Sequence, residues 1–350
     1  MNIVHVNTST EYDVKIGVGL LSNLGNEVAS VTKVGTAAIV SDSNVFPIYG
    51  KTVTESLEKA GFSVIPYIFP AGESSKCGST YLDLLNFLAE NKICRSDCII
   101  ALGGGVVGDL AGFTAATYLC GISYIQVPST LLAAVDSSVG GKTAIDLDCG
   151  KNLVGAFYQP KLVLCDLDAL NTLPVDIFRD GCADVIKYGI LYDAELFAHL
   201  ESHSLAFDRQ YVVKRCMELK RDVVAEDEFD TGSRMKLNLG HTVGHGVEAG
   251  SHYTTSHGKA VAIGTAIVSR AAAKSGICSA QTAERIENIL ERFGLPIRTE
   301  YSSQTLFDAA LSDKKRTGGF VNLIIPESVG VCRIQPTKID DMKSFIEAGL

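Results

Sequence analysis

The chain reads Cys98-Ile-Ile-Ala-Leu-Gly103-Gly104-Gly105-Val-Val-Gly108-Asp109 at the point that decides its fold. An apolar run typical of a buried strand leads into glycines spaced G-x-G-x-x-G, and a helical pattern follows from Leu110 to Tyr118. Such glycines let backbone N–H groups approach a pyrophosphate at the N-terminus of a helix. The alternative is a tight turn that binds nothing. Unlike the usual dinucleotide turn, this one lies about a hundred residues into the chain and carries an aspartate, Asp109.

The segments around this turn alternate between two patterns. Strand patterns cover residues 36–41, 62–68 and 97–102, and helix patterns cover residues 51–60 and 81–91. Alternation of this kind predicts a parallel sheet with covering helices. Asp42 follows the first of these strands, where it could accept hydrogen bonds from a ribose or could cap a turn.

Beyond about Val175 the pattern changes to long amphipathic helices. A short hairpin is predicted from Phe320 to Ile325 with Gly330 to Ile334, before a final helix. We therefore expect a Rossmann-like α/β domain over residues 1–175 and a mostly α-helical domain over residues 176–350. The predicted helices of the second half are residues 176–189, 211–226, 235–250, 259–275 and 280–293.

Composition limits the classes of function. The chain has 350 residues, 46% of them hydrophobic, and a net charge of −9, which argues against nucleic acid as a partner. The sequence has no apolar run long enough for a membrane span and no signal-peptide pattern, so we expect a cytoplasmic protein that does not bind membranes. Its ten cysteines lie in apolar segments without a zinc-ribbon spacing, and we expect buried, reduced thiols.

Histidines concentrate in one region. The segment Asn238-Leu-Gly-His241-Thr-Val-Gly-His245 is followed by His252 and His257, although the chain has only seven histidines. On a helix, His241 and His245 lie one turn apart on one face, a spacing that suits Zn²⁺ or Co²⁺. The alternative is a set of ordinary surface histidines.

Basic residues and glycine turns indicate an anionic ligand. Gly141-Lys142-Thr143 matches the end of a P-loop, but Asp136 occupies the position of its first glycine, which argues against ATP. Several cations near glycine turns in an acidic protein predict a pocket for an anionic small molecule. Beside Lys142, these cations are Lys187, Lys220, Arg234, Lys314 and Lys315.

Seven motifs occur in an order that is specific to one family. They are GGGVVGD, PSTLLAAVDSSVGGKT, GKN, ADVIKYG, NLGHTVGH, SHGKAVAIG and DKK, and together with Asp42 they extend from residue 42 to about residue 315. In these motifs the chain resembles dehydroquinate synthase, a family of sugar-phosphate cyclases. The resemblance implies an NAD-binding α/β domain followed by a helical domain that binds metal and substrate, usually in a homodimer.

The resemblance also implies a reaction. An enzyme of this kind converts 3-deoxy-arabino-heptulosonate 7-phosphate, a phosphorylated sugar acid, to 3-dehydroquinate and phosphate. It uses NAD and a divalent metal, usually Zn²⁺. The C5 hydroxyl is oxidised transiently, phosphate leaves by β-elimination, the ketone is reduced again, and an intramolecular aldol reaction closes the ring. Oxidation matters because it acidifies a C–H bond that a weak base can then break.

Transferred position by position, the family pattern assigns three groups of residues. It gives the metal to Asp184, His241 and His257, and it gives His245 to the substrate instead of the metal. The remaining substrate residues are Lys142, Asn152, Lys187, Lys220, Arg234, Asn238, Lys314 and Asp136. The NAD residues are Asp42, Asn44, Glu73, Lys76, Gly104, Gly105, Asp109, Ser129, Thr130, Lys151 and Thr172.

Four positions depart from the family pattern. Asp184 stands where the family usually has glutamate, and Cys120 stands where it has an arginine that holds the substrate phosphate. Asp230 and Lys259 each replace a glutamate, and Lys259 brings positive charge near the metal ligands. These departures keep three alternatives open: another sugar-phosphate cyclase, a metal-dependent polyol dehydrogenase, and a non-catalytic NAD-binding homologue.

Overall fold

A computed structural model describes residues 1–252, 254–311, 316–317 and 319–350. Lys314, predicted to line the substrate site, lies outside these residues. The chain forms two compact units, Met1–Leu173 with Arg209–Phe229 and Pro174–Asp208 with Asp230–Leu350. The single boundary predicted at residue 175 therefore needs a correction, because Arg209–Phe229 leaves the helical half and belongs to the first unit. Helical periodicity shows which face of a segment is apolar but not which unit will bury it.

The strands and helices are numbered in chain order. The strands are β1 Asn2–Val6, β2 Tyr12–Gly17, β3 Thr36–Asp42, β4 Ser63–Phe69, β5 Cys98–Gly103, β6 Ser123–Pro128, β7 Lys142–Leu147, β8 Gly150–Phe157, β9 Leu162–Asp166, β10 Arg316–Thr317, β11 Phe320–Ser328 and β12 Val331–Lys338. The helices are α1 Leu24–Val31, α2 Phe46–Lys59, α3 Gly78–Glu90, α4 Gly105–Thr117, α5 Val175–Tyr192, α6 Ala194–His203, α7 Arg209–Glu226, α8 His241–Gly250, α9 His257–Lys274, α10 Ala280–Arg292, α11 Ser303–Leu311 and α12 Ile339–Gly349.

The first unit is built on a seven-stranded sheet with the order β1-β2-β9-β6-β5-β3-β4. Every neighbouring pair is parallel except β1 with β2. β5 and β9 are buried along their whole length, as expected for parallel strands covered on both faces. The predicted Rossmann-like α/β fold is confirmed.

Several predicted residues lie at one edge of this sheet, at the carboxyl ends of its parallel strands. β3 ends at Asp42, β5 ends at Gly103, and β6 ends at Pro128, next to Ser129. The register pairs Ser41 with Leu102 and Gly103 with Pro128, so these carboxyl ends lie side by side. Ligands of open α/β sheets bind at this edge.

The second unit contains the remaining helices and a three-stranded sheet in the order β10-β11-β12. The predicted hairpin is present as β11 and β12, with Ile324 opposite Ile334. The single helix predicted over residues 235–250 is wrong. A 3₁₀ turn, Ser233–Asn238, precedes α8, and Gly240 between them has a left-handed φ of 76°. A Cβ at Gly240 would lie 2.3 Å from Thr265 Oγ1 on α9, so the break lets α8 and α9 approach closely.

Two composition-based expectations can be compared with the structure. Six of the ten free cysteines are buried, but Cys94, Cys120 and Cys149 are exposed and Cys77 is half-buried, so the prediction of buried thiols is only partly correct. Among the described residues, no helix has both the length and the apolar character required to span a membrane.

Candidate active site

Three helices of the second unit bring together an acid and two histidines. Asp184 lies in α5, His241 begins α8, and His257 begins α9. One potential ligand atom from each of the three lies within 4.8 Å of the others. These are the three residues that the family pattern assigns to the metal. Two imidazoles and a carboxylate form a donor set typical of Zn²⁺ and related divalent cations.

The two imidazoles are oriented by partners outside the cluster. Nδ1 of His241 lies 3.0 Å from the carbonyl oxygen of Leu239, a contact in which the ring nitrogen donates. Nδ1 of His257 lies 3.5 Å from a carboxylate oxygen of Glu248, which is buried. Contacts of this kind through Nδ1 are usual around histidine ligands, which then bind a cation through Nε2. Burial lowers the pKa of His257, but Glu248 and Asp184 outweigh burial and the net pKa is raised.

Asp184 provides a test of whether a cation fits. The side chain is fully buried, and its Oδ1 accepts a hydrogen bond of 2.6 Å from Lys187 Nζ. Its Oδ2 is buried and has no hydrogen-bond partner within the described part of the chain. A buried carboxylate oxygen without a partner is costly, and a cation held with the two imidazoles would satisfy it. The residues present therefore fit a divalent cation.

His245 stays outside this group. Its ring lies 5.8 Å from the ring of His241, centroid to centroid, with the planes nearly perpendicular. The His241 and His257 centroids are 5.1 Å apart, although these residues belong to different helices. Helix spacing alone predicted the pair His241 and His245, whereas the three-ligand group in the described residues contains His257 instead.

Two further predicted residues lie on the 3₁₀ turn Ser233–Asn238. The Arg234 side chain is almost fully buried, with 1% of its surface exposed. Asn238 donates from Nδ2 to the carbonyl oxygen of Met235 at 3.0 Å. A buried guanidinium is always charged and presents a planar set of donors, so Arg234 is suited to a carboxylate of a ligand.

In the first unit, Lys76 is the centre of a charged cluster that we call the Lys76 cluster. Its Nζ lies 2.9 Å from Glu73, 3.3 Å from Asp109 and 3.7 Å from Asp146. It also donates to Asn152 Oδ1 at 2.8 Å. Lys151 adds a second cation, 3.8 Å from Glu73. The structure thus brings together five predicted residues, Glu73, Lys76, Asp109, Lys151 and Asn152, and adds Asp146.

Burial and charge set the pKa values in this cluster. Burial raises the pKa of Asp109 to about 6, although Lys76 acts in the opposite direction. Burial also raises the pKa of Asp146, against the effect of Lys76. At Glu73, burial is outweighed by Lys76 and Lys151, and the pKa is lowered. Lys76 itself has its pKa raised, because these carboxylates outweigh its burial.

The glycine turn forms the start of α4. Gly104 is the N-cap residue, and no side chain caps the helix, so the first-turn N–H groups of α4 have no side-chain acceptor. Beside the turn, the backbone N–H of Ser129 donates to the carbonyl oxygen of Gly103 at 2.9 Å. The Ser129 hydroxyl is buried without a hydrogen-bond partner among the described residues. An uncapped helix start beside an unsatisfied hydroxyl fits the pyrophosphate of a dinucleotide.

The other predicted NAD residues have identifiable local contacts. Oδ1 of Asp42 accepts from the backbone N–H groups of Asn44 and Val45, so Asp42 caps the turn before α2. Thr130 Oγ1 accepts from the N–H of Ala133 at 3.3 Å, and the hydroxyl of Thr172 contacts the hydroxyl of Tyr49. The turn-cap alternative for Asp42 is thus observed, and it does not conflict with ribose contacts through the same carboxylate.

Two predicted lysines belong to the first unit. Lys220 of α7 forms a buried ion pair with Asp136, which lies in a single π-helical turn, Ala133–Ser137. Lys142 begins β7, and a strand follows Gly141 where a P-loop would start a helix. Gly141-Lys142-Thr143 therefore resembles an ATP-binding turn in sequence but not in structure.

Sequence analysis missed three acids that contact predicted residues. Asp146 lies in β7 and faces Lys76, and Glu248 faces His257. Asp180, one helical turn before Asp184, contacts the start of α9. The spacing offered a signal for two of them, because Glu248 lies three residues after His245 and Asp180 four residues before Asp184 on the same helix.

Comparison with known proteins identifies the family. Residues 66–180 match the family described as 3-dehydroquinate synthase N-terminal, and residues 181–316 match its C-terminal counterpart. The chain is 41% identical over 340 residues to the 3-dehydroquinate synthase of Clostridium acetobutylicum, covering 95% of each chain. The chain belongs to the 3-dehydroquinate synthase family. It is therefore an enzyme of the sugar-phosphate cyclase kind. Asp184, His241 and His257, which we call the acid–histidine group, all lie within the matched residues.

Solved structures of more distant enzymes share the fold. A 2-deoxy-scyllo-inosose synthase complexed with carbaglucose-6-phosphate, NAD⁺ and Co²⁺ superposes with a TM-score of 0.89 at 24% identity, covering 100% of both chains. The 2-epi-5-epi-valiolone synthase of Streptomyces hygroscopicus subsp. jinggangensis 5008, with NAD⁺ and Zn²⁺ bound, gives a TM-score of 0.90 at 24% identity, covering 99% of this chain and 97% of that one. At 24% identity, the likeness to these two structures shows a shared fold and no more.

Proposed function

We propose that the protein is a 3-dehydroquinate synthase of the shikimate pathway, a lyase that converts 3-deoxy-arabino-heptulosonate 7-phosphate to 3-dehydroquinate and phosphate. One observation carries the proposal. Asp184, His241 and His257, which the family pattern selects from distant parts of the sequence, bring ligand atoms within 4.8 Å of one another. When bound, NAD⁺ supplies a reversible hydride acceptor, and Zn²⁺ or Co²⁺ supplies a Lewis acid at the reacting hydroxyl.

The second unit supplies the cation ligands and a carboxylate site. Asp184, His241 and His257 hold the cation, with the histidine rings oriented by Leu239 and Glu248. Arg234 binds the substrate carboxylate through paired N–H donors, and Asn238 adds an amide on the same turn. His245 and Lys187 complete the substrate residues of this unit. Lys187 also donates a hydrogen bond of 2.6 Å to Asp184 Oδ1.

The first unit supplies the cofactor site and further substrate cations. The start of α4, Gly104, Gly105 and Ser129 receive the pyrophosphate of NAD, while Asp42 and Asn44 lie at the adjacent strand end for the ribose. Lys142, Lys220 and Asn152 bind substrate oxygens, with Lys220 positioned by Asp136. Lys314 shares this role in the family pattern. Fixed charges of this kind align a flexible anionic substrate, which is a large part of catalysis.

A cytoplasmic homodimer is proposed on two grounds. The family resemblance supplies the dimer, and the ten free thiols are typical of a reducing compartment such as the cytoplasm.

A direct assay tests the proposal. The purified protein is incubated with the heptulosonate phosphate, NAD⁺ and Zn²⁺ or Co²⁺, while inorganic phosphate, 3-dehydroquinate and NADH are followed. We expect phosphate and product in equal amounts without accumulation of NADH, activity that chelation removes, and recovery when metal is added. Stoichiometric NADH would identify a polyol dehydrogenase instead. Metal-loaded, NAD-bound protein that releases phosphate neither from this substrate nor from a hexose 6-phosphate would identify a non-catalytic homologue.

Cys120 favours a second candidate, another sugar-phosphate cyclase. It is exposed, on a turn where Leu119 and Cys120 both have positive φ, and it replaces the arginine expected to hold the phosphate. Against this candidate stands Arg234, because a carboxylate-binding arginine serves no purpose for a substrate without a carboxylate. Release of phosphate from a hexose 6-phosphate, and none from the heptulosonate phosphate, would favour the second candidate.

A further inference from the structure

The start of α9 is held by a residue of another helix. Ser256 is the N-cap residue of α9, but its hydroxyl makes no capping bond to its own helix. It donates instead to Oδ1 of Asp180 on α5, and the backbone N–H of Lys259 donates to the same oxygen at 3.1 Å. Asp180 thus performs from α5 the capping role that an N-cap side chain usually performs, with its negative charge at the positive end of the helix dipole.

The same contact brings the two helix backbones close together. A Cβ at Gly258 would lie 2.0 Å from the carbonyl oxygen of Asp180. Only glycine at this position allows α9 to begin directly against α5. The close approach and the capping bonds together fix the distance between the two helices at one point.

That point lies between two members of the acid–histidine group. Asp180 and Asp184 are four residues apart on α5, so they lie on one face, one turn apart. Ser256 and Gly258 are the neighbours of His257, the first residue of α9. The contact made by Asp180 therefore determines how far His257 lies from Asp184. An aspartate has a short reach, since only one methylene separates its carboxylate from the backbone. A cation site that includes Asp184 therefore tolerates little change in the distance between Asp184 and His257.

We propose that Asp180 is a positioning residue of the cation site, which holds the His257 end of α9 at the distance that Asp184 can span. The proposal rests on the proposed function, because it assumes that Asp184, His241 and His257 bind a divalent cation. Asp180 does not touch the cation or the substrate. Its effect is on the geometry and the affinity of the site.

The experiment measures Co²⁺ binding to the metal-free protein, by competition with a chromophoric chelator and by the visible absorption spectrum of the bound ion. Asp180→Ala removes the acceptor, whereas Asp180→Asn keeps an oxygen that can accept both hydrogen bonds. Asp176→Ala is the matched control, since Asp176 lies one turn earlier on α5, has 80% of its side chain exposed and pairs with Arg179 at 3.7 Å.

We expect Asp180→Ala to weaken Co²⁺ binding about 10-fold to 100-fold, the range typical of residues that orient metal ligands, and to change the visible spectrum. Asp180→Asn should stay within about threefold of the original protein, as expected when the oxygen acceptor is retained. Asp176→Ala should match the original protein in affinity and spectrum. A general loss of stability would lower the apparent affinity for Co²⁺ without changing the visible spectrum of the bound ion.

Two results would overturn the proposal in distinguishable ways. If Asp180→Ala binds Co²⁺ with unchanged affinity and spectrum, the positioning role is wrong while the cation site stands. If the original protein binds no Co²⁺, the cation site itself is wrong, and with it the proposed function. Should Asp180→Ala fail to fold, Ser256→Ala removes one of the two donors and keeps the acid, and an unchanged affinity there would also reject the role.

Discussion

The acid–histidine group of the second unit and the Lys76 cluster of the first unit are both partly buried and contain charged side chains, but their polar atoms are satisfied differently. In the Lys76 cluster, Lys76 lies within 4 Å of three carboxylates and an amide oxygen of the protein itself (Glu73 2.9 Å, Asp109 3.3 Å, Asp146 3.7 Å, Asn152 2.8 Å). In the acid–histidine group, Asp184 Oδ2 has no partner within the described residues. The Lys76 ammonium has several partners within the protein, whereas an oxygen of Asp184 has none among the described residues and suits a bound cation. The difference predicts that, in the absence of NAD and substrate, mutations in the Lys76 cluster will mainly affect stability and mutations in the acid–histidine group will mainly affect cation binding.

The largest effect is expected at His257. The change His257→Ala removes one of three ligands, and even residues that only orient a ligand contribute about 10-fold to 100-fold in metal affinity, so we expect a loss of at least about 100-fold. Zinc content after gel filtration, measured by atomic spectroscopy, provides the test. His252→Ala is the control, since His252 is exposed and lies outside the three-ligand group. An unchanged zinc content in His257→Ala would remove this residue from the site.

Stability should respond most at Lys76. In Lys76→Met, three carboxylates lose a cation whose side chain is only 5% exposed, and breaking a buried pair in this way costs about 3–5 kcal/mol in the free energy of unfolding. Urea denaturation at pH 8 measures the change. Lys151→Met is the matched control, because Lys151 is more exposed and lies 3.8 Å from Glu73, and its loss should cost about 1 kcal/mol or less. Equal effects of the two changes would contradict the central position of Lys76.

A pH-dependent effect is expected at Asp109. Its pKa is raised from the ordinary value of 3.8 to about 6, so the folded protein favours the protonated carboxyl. Asp109 therefore contributes stability that is fully present below about pH 4 and is lost as the pH rises through about 6. Asp109→Asn keeps a neutral side chain at every pH. In the absence of NAD, the variant should gain up to about 3 kcal/mol over the original protein at pH 8, and nothing at pH 4. A gain that is the same at both pH values would show that burial does not control this carboxyl.

The smallest effect is expected at Cys120, a position of the first unit outside the Lys76 cluster. It tests whether the site lacks the positive charge that the family pattern places there to hold the substrate phosphate. If the pocket is otherwise that of the family, Cys120→Arg should lower the KM for the heptulosonate phosphate by about tenfold, since a hydrogen bond to a charged group at an exposed position contributes about 1.5 kcal/mol, the low end of its usual range. Cys120→Ser provides the neutral control. A higher KM in the arginine variant would show that the pocket has been rebuilt around cysteine.

The sequence predicted the acid–histidine group better than the Lys76 cluster. His241 and His257 lie in motifs that the family resemblance assigns to the metal, and those motifs sit at the starts of two helices. The Lys76 cluster draws on several separate segments. The sequence named five of its residues but gave no distances among them, and Asp146 carried no motif signal because its role depends on β7 running beside Lys76.

The fold shows the same limit of prediction from local sequence patterns. Alternating strands and helices predicted the parallel sheet, because each pattern is set by burial of one face. The break at Gly240 was missed, since an apolar period continues across it. The turn depends on a tertiary feature, because Gly240 lies too close to Thr265 of α9 for any side chain. Helix α6 was also missed, and its start depends on a cap, with Asp193 accepting from the N–H groups of Glu195 and Leu196.

The path of α7 has a practical consequence for anyone who dissects this enzyme. Because Arg209–Phe229 belongs to the first unit, neither unit is a continuous piece of the gene. A fragment ending near residue 175 would leave Asp136 without Lys220. A fragment beginning there would contain α7 without the unit to which it belongs. Exchange of halves between relatives would therefore need three junctions, at residues 173, 208 and 229.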